Sequence, residues 1–187
     1  MWFLLKKINL PVPMKIRTFA FAVITIALAA SSCVKLETLP EEPRIEFTSF
    51  TIFDTTDILG NNVQAGKLKF YFEDGDGDIG LRPPSGTEDE IVDTINLFLT
   101  LYRFDNGESS LAPDDDPYKP TGFRIPYMER LGRNTILQGH INVTLYYFFH
   151  TLEDSISYEF RIRDRAGNTS NTVFTPVIPV GIKGVYE

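Results

Sequence analysis

"SISYEFRIRDRAGN" (Ser155–Asn168) holds the pattern that decides the fold. Ile156, Tyr158, Phe160 and Ile162 alternate with Ser157, Glu159, Arg161 and Arg163, so one side is apolar and the other polar or charged. Successive side chains of an extended strand point to opposite faces, whereas a helix would scatter these four apolar residues around its axis. The segment therefore reads as a strand that buries one face. It runs into a turn at Asp164, Ala166, Gly167 and Asn168. There Gly167 and Asn168 tolerate positive φ, and the Asp164 carboxylate is suited to hydrogen-bond the turn's backbone.

The same period of two recurs on both sides of this segment. Ile45 and Phe47, then Phe50 and Ile52, alternate with a change of phase at Ser49 that predicts a β-bulge. Leu68, Phe70 and Phe72 follow, then Ile95, Leu97, Leu99 and Leu101. A short strand is expected at Phe123, Ile125 and Tyr127, and a long one at Ile141, Val143, Leu145, Tyr147 and Phe149. Val173–Val180 reads as an edge strand, because Pro176 and Pro179 cannot donate to a ladder. Seven strands without an amphipathic helix between them predict an all-β domain over residues 45–187. The expected architecture is an immunoglobulin-like or fibronectin-III-like sandwich of two antiparallel sheets. The surplus length sits in two loops, Asp74–Glu90 and Asp105–Gly122, the second containing "APDDDPYKP"; long loops on a rigid scaffold are where function concentrates. "YYFF" (Tyr146–Phe149) places aromatics on both faces of its strand, which predicts a strand that meets a partner or, more commonly, a central strand covered on one face by a long loop.

The N-terminal residues have a different character. Met14-Lys15-Ile16-Arg17 is a short basic stretch, and Phe19–Ala30 is an uncharged apolar run. Small residues then lead to Cys33, the only cysteine in the chain. This is the layout of a secretory signal peptide over residues 1–32, with an apolar run too short for a comfortable membrane span. Met14 alone heads a well-formed signal, which makes it an alternative start. Residues 33–44 contain "VKLETLPEEPR" (Val34–Arg44), an aperiodic, proline-containing tether.

Removing the four bases of residues 1–32 leaves 14 basic against 25 acidic residues, a formal charge of −11. Phosphate contacts need clustered Lys and Arg, so a nucleic-acid partner is excluded. A body this acidic attracts cations instead. The residues of catalysis are sparse: no free thiol remains beyond Cys33, and the histidines are only His140 and His150. A zinc site needs three or four close nitrogen or sulfur ligands, and the sequence offers no such group. A non-catalytic binding or scaffold module is the expected class. Carboxylate-based hydrolysis is the remote rival, since acids are plentiful. A glycan platform would have to use Tyr118 or Tyr146, because the sole tryptophan, Trp2, lies within the signal segment.

"FEDGDGDIGL" (Phe72–Leu81) bears on the cation question. Carboxylates alternating with glycine suit a hard cation, because several oxygens must converge on it and glycine lets the backbone fold tightly. Asp74, Asp76 and Asp78 match positions one, three and five of an EF-hand loop. The match then fails, with Ile79 at the glycine position and Ser85 at the glutamate position. In sandwich order this loop, the segment before Ile141 and the last turn share one end. Asp164, Asn168 and Asn134 thereby become candidates to complete a calcium site with Asp74, Asp76 and Asp78. The alternative is a turn whose aspartates cap backbone N–H groups while Ile79 plugs the core. Asp114, Asp115 and Asp116 fall at the opposite end and read as a solvated loop.

Two stretches resemble known families. "LAASSC" (Leu28–Cys33) resembles the lipobox of bacterial lipoproteins, which implies cleavage before Cys33 and acylation of its thiol. "YEFRIRDRAGNTSNTVFTPVI" (Tyr158–Ile178) resembles the terminal hairpin of bacterial Ig-like modules. Together with "DGDGDIGL" these features resemble uncharacterised outer-membrane lipoproteins of Gram-negative bacteria. That resemblance implies a lipid-anchored envelope domain, periplasmic or surface-exposed, with an envelope protein or a glycan as partner. It implies no established activity.

Overall fold

The computed structural model describes residues 39–83, 95–105, 107–129, 135–148 and 155–187. The signal segment, Cys33, Asn134, His150 and Phe149 lie outside the described residues. Nine strands follow in chain order: β1 (Arg44–Thr56), β2 (Asn62–Asp74), β3 (Leu97–Asp105), β4 (Glu108–Leu111), β5 (Leu137–Tyr147), β6 (Ser155–Ile162), β7 (Val173–Phe174), β8 (Ile178–Pro179) and β9 (Gly184–Tyr186). No helix occurs among the described residues.

β1 and β2 form a long hairpin whose register runs from Arg44↔Glu73 to Thr56↔Asn62. Its turn is held by the Asp57 carboxylate, which accepts the N–H groups of Leu59 (2.9 Å) and Asn61 (2.8 Å). The register shifts between Phe47 and Ser49, so the expected bulge is present. It lets both Ile45 and the Phe50/Ile52 pair face the core despite their odd spacing. β5 adds to β2, and β9 to β1, giving the order β5-β2-β1-β9. The second sheet runs β4-β3-β6-β7, with β8 also paired to β6. All strand pairings are antiparallel.

The core lies between the two sheets. Phe50, Ile52, Leu68 and Phe70 from the first meet Leu97, Leu101, Tyr158, Phe160 and Ile162 from the second. Phe70 and Phe160 stand 5.3 Å apart between ring centroids, and Phe50 and Tyr158 5.9 Å. Each such side chain withdrawn from water contributes about 2–3 kcal/mol. The room for these rings comes from Gly66 on β2. A Cβ there would enter the Phe50 ring and come within 2.7 Å of the Tyr147 hydroxyl. Gly66→Ala is expected to cost about 1–3 kcal/mol in urea denaturation; an unchanged midpoint would show that the Phe50 ring can shift at no cost.

Several expectations are corrected. Phe123–Tyr127 is not a strand but makes two isolated bridges, Leu97↔Phe123 and Leu81↔Pro126. The reason lies in hydrogen bonding: Ile125 N–H is taken by the Asn96 side chain (2.7 Å) and its C=O by Leu81 N–H (2.9 Å). The Asp105–Gly122 loop contains β4, which returns through Gly107 (φ 85°) against β3. β5 is not central but ends its sheet, with Tyr147 in the core and Tyr146 and Phe148 outside. The segment after Val173 breaks into β7 and β8 around Pro176, and β9 extends the fold beyond the expected seventh strand.

Candidate metal centre

Period-2 alternation places Asp74 on the core side of β2, in line with Leu68, Phe70 and Phe72, and it is 1 % exposed. A carboxyl in that position needs partners. Its Oδ2 accepts the N–H groups of Asp78 (2.8 Å) and Ile79 (3.2 Å), closing Gly75–Asp78 into a tight loop over the strand end. Ile79 then turns back into the core and is fully buried. Gly77 (φ 67°) and Gly80 (φ 94°) supply left-handed backbone, and a Cβ at Gly80 would run into the Pro126 carbonyl.

The second oxygens are arranged differently. Oδ1 of Asp74 and Oδ1 of Asp78 are buried and accept no hydrogen bond, with Oδ1 of Asp76 buried beside them. One carboxylate oxygen from each of the three aspartates lies within 4.8 Å of the others. Like charges so placed repel by about 3 kcal/mol per pair even at an effective dielectric constant of 20. A hard cation reverses the sign. Ca²⁺ gathers six to eight oxygens at about 2.3–2.6 Å, and this triad could supply three of them to a metal ion.

The acid–base properties follow the same geometry. Burial pushes the Asp74 carboxyl up to about 6; the Asp76 charge adds to the rise, while the Asp78 and Ile79 amides oppose it. Burial also raises Asp78, helped by the charges of Asp164 and Asp76 and opposed by Arg165 and the Ala166 amide.

The last turn packs onto this loop, as its place in the strand order predicts. Asp78 Oδ2 accepts Ala166 N–H (3.0 Å), and the Arg165 guanidinium donates to Gly80 C=O (2.6 Å). Asp164 differs from the three clustered aspartates in its bonding. Both its oxygens are taken by Asn168, through the backbone N–H (2.7 Å) and the side-chain amide (2.9 Å), and so close the turn. One oxygen of Asp74 thus caps the turn, and the same residue belongs to the group of three carboxylates that could hold a metal ion.

The residues that hold this end together include two the sequence reading passed over. Asn171 bridges the sheets by pairing both its amide atoms with the backbone of Ile45, at 2.8 and 2.9 Å. Asn96, 1 % exposed, joins Ile125 N–H to Arg163 C=O. Neither leaves a signal in a single sequence, since isolated asparagines are ordinary in loops.

At the other end, Asp114 and Asp115 are exposed as expected, but Asp116 is not solvated. It receives Arg103 Nε (2.7 Å) and Nη2 (2.9 Å) in a bidentate pair, plus Tyr118 N–H (2.9 Å). Tyr118 is likewise no exposed platform: it is 4 % exposed, edge-on to Tyr147 at 5.1 Å and under the Arg103 guanidinium at 4.4 Å. Tyr146 does face solvent and stacks beside Phe148, 6.4 Å between centroids. His140, on β5, is exposed and edge-on to Tyr71.

Comparison of the chain with known protein families, with characterised proteins and with solved structures finds no match.

Proposed function

We infer that the chain is a lipid-anchored, non-catalytic binding or scaffold domain of the bacterial cell envelope, stiffened by one calcium ion at Asp74, Asp76 and Asp78. The observation that carries the calcium reading is the buried Oδ1 of Asp74. That oxygen accepts no hydrogen bond, and its residue sits at a core position within the cluster of three carboxylates. An uncompensated buried acceptor costs about 1–3 kcal/mol, and more when charged; an ion at the cluster removes that cost. The strand division supports the immunoglobulin-like part. On that reading β1, β2 and β5 correspond to strands A, B and E of one sheet, and β3, β4, β6 and β7 to C, C′, F and G of the other, which agrees with the observed strand orders. Anchoring through acylated Cys33 rests on the lipobox resemblance.

Calorimetric titration of the purified full chain with CaCl₂ tests this. One equivalent is expected to bind wild type and none Asp74→Asn. At a hundredfold excess over Kd, calcium should raise the melting temperature by about 5–10 °C. No heat and no thermal shift at millimolar calcium would remove the ion from the proposal.

A second reading has one observation in its favour. Tyr146 and Phe148, 47 % and 59 % exposed, form a stacked pair on the outer face of an edge strand. Aromatic faces of this kind suit sugar rings, so a calcium-dependent glycan-binding module is the alternative. Glycan-array binding lost in both EDTA and Tyr146→Ala would favour it.

A further inference from the structure

The aspartate loop makes contacts beyond its own strand ends. Gly75 lies between Asp74 and Asp76, and its N–H donates to Pro40 C=O (2.9 Å). The approach is so close that a Cβ on Gly75 would overlap the carbonyl oxygens of both Leu39 and Pro40. On the other flank Thr135 Oγ1 donates to Gly75 C=O (2.8 Å). Leu39–Pro43, the lead-in to β1, therefore lies directly across the backbone between two of the three candidate ligands, with Pro43 buried. The third ligand, Asp78, is tied through Oδ2 to Ala166 of the last turn.

Each contact depends on the loop keeping its shape. Without an ion, the carboxylates of Asp74 and Asp78, each with a buried oxygen that accepts no hydrogen bond, repel one another and Asp76. Opening the loop to relieve that repulsion draws on Gly75 and Gly77, its residues with the widest backbone freedom, and Gly75 is the one that must stay still to hold Pro40. Drawing the oxygens together around a cation removes the freedom at the same residue.

We propose that ion binding at Asp74, Asp76 and Asp78 clamps the lead-in segment Leu39–Pro43 against Gly75, and that ion release lets it go. This rests on the calcium reading above. A ligand that binds only the closed loop stabilises every contact the closed loop makes, so clamping and ion affinity are linked. The clamp sits where the chain enters the sandwich, at the end opposite the Asp57–Asn61 hairpin turn.

Hydrogen–deuterium exchange of the full chain, in calcium and in EGTA, tests the clamp. Exchange at the Gly75 amide and across peptides covering 39–45 is expected to slow roughly tenfold or more in calcium. The Asp57–Asn61 turn should be unaffected. Gly75→Ala, which keeps all three carboxylates, should still bind calcium but lose the calcium-induced protection of 39–45. If wild type binds calcium with no change at Gly75 or 39–45, the clamp is overturned and the calcium reading stands. If calorimetry shows no binding at all, both fall. Should Gly75→Ala fail to fold, the exchange of wild type in calcium and in EGTA still separates these outcomes.

Discussion

Asp116→Ala is expected to lower the free energy of unfolding by about 3–5 kcal/mol, the usual result of removing one member of a buried ion pair. The Asp116 side chain is 4 % exposed and that of Arg103 23 %. Both carboxylate oxygens are engaged by the guanidinium, and one also holds the Tyr118 amide. Truncation strips the carboxylate from a half-buried cation and loosens Tyr118. Through its carbonyl Tyr118 accepts the Tyr158 hydroxyl (3.1 Å), which in turn meets the Tyr147 hydroxyl (3.2 Å). The damage therefore reaches the centre of the core. Asp114→Ala is the matched control. Its pairing with Lys119 is at the surface and screened by solvent, so its loss should leave the midpoint close to wild type. Urea denaturation of the two variants measures the difference, and near-equal midpoints would show that the Arg103 pair adds nothing to stability.

Asp116 also shows where a single sequence stops being legible. Within "APDDDPYKP" three identical carboxylates follow one another, and nothing local separates the third from its solvated neighbours. What distinguishes it is a partner thirteen positions earlier on β3. The usable signal was on that strand: Leu97, Leu99 and Leu101 face inward, and the next residue in phase is Arg103. A charge in phase with a core face requires a counter-charge, and Asp116 provides it. Asp74 obeys the same rule, one step beyond Leu68, Phe70 and Phe72. The sandwich itself was readable because alternation is a backbone property that each strand expresses alone. The β3–β4 hairpin was not legible: Glu108–Leu111 carries a single apolar residue, Leu111, so β4 falls within the stretch that reads as a loop. Phe123–Tyr127 misled for the opposite reason. Its alternation is real, but the Asn96 side chain captured the hydrogen-bonding group a ladder would have used.

The second large effect is one of pH, and its sign depends on the cation. The Asp74 carboxyl is pushed from an ordinary 3.8 up to about 6 in the folded chain. Between these values the folded state keeps a proton that the unfolded state has released. The stability contributed by this group is therefore complete below about pH 3.8 and is lost as pH rises through about 6, a total of about 3 kcal/mol. In EGTA the melting temperature is expected to fall by about 6–12 °C across that window for this reason alone. Asp74→Asn carries no charge to bury and can still offer an oxygen to the Asp78 and Ile79 amides, so its profile should be flatter. At pH 7 in EGTA it should melt above wild type. On the proposed calcium site the order should reverse in millimolar calcium, because the ion would stabilise only the chain that has the full carboxylate triad. That crossing separates a metal site from a strained turn. A turn held by its own hydrogen bonds would leave the two proteins in the same order in both buffers, since nothing in the solution would answer the buried charge.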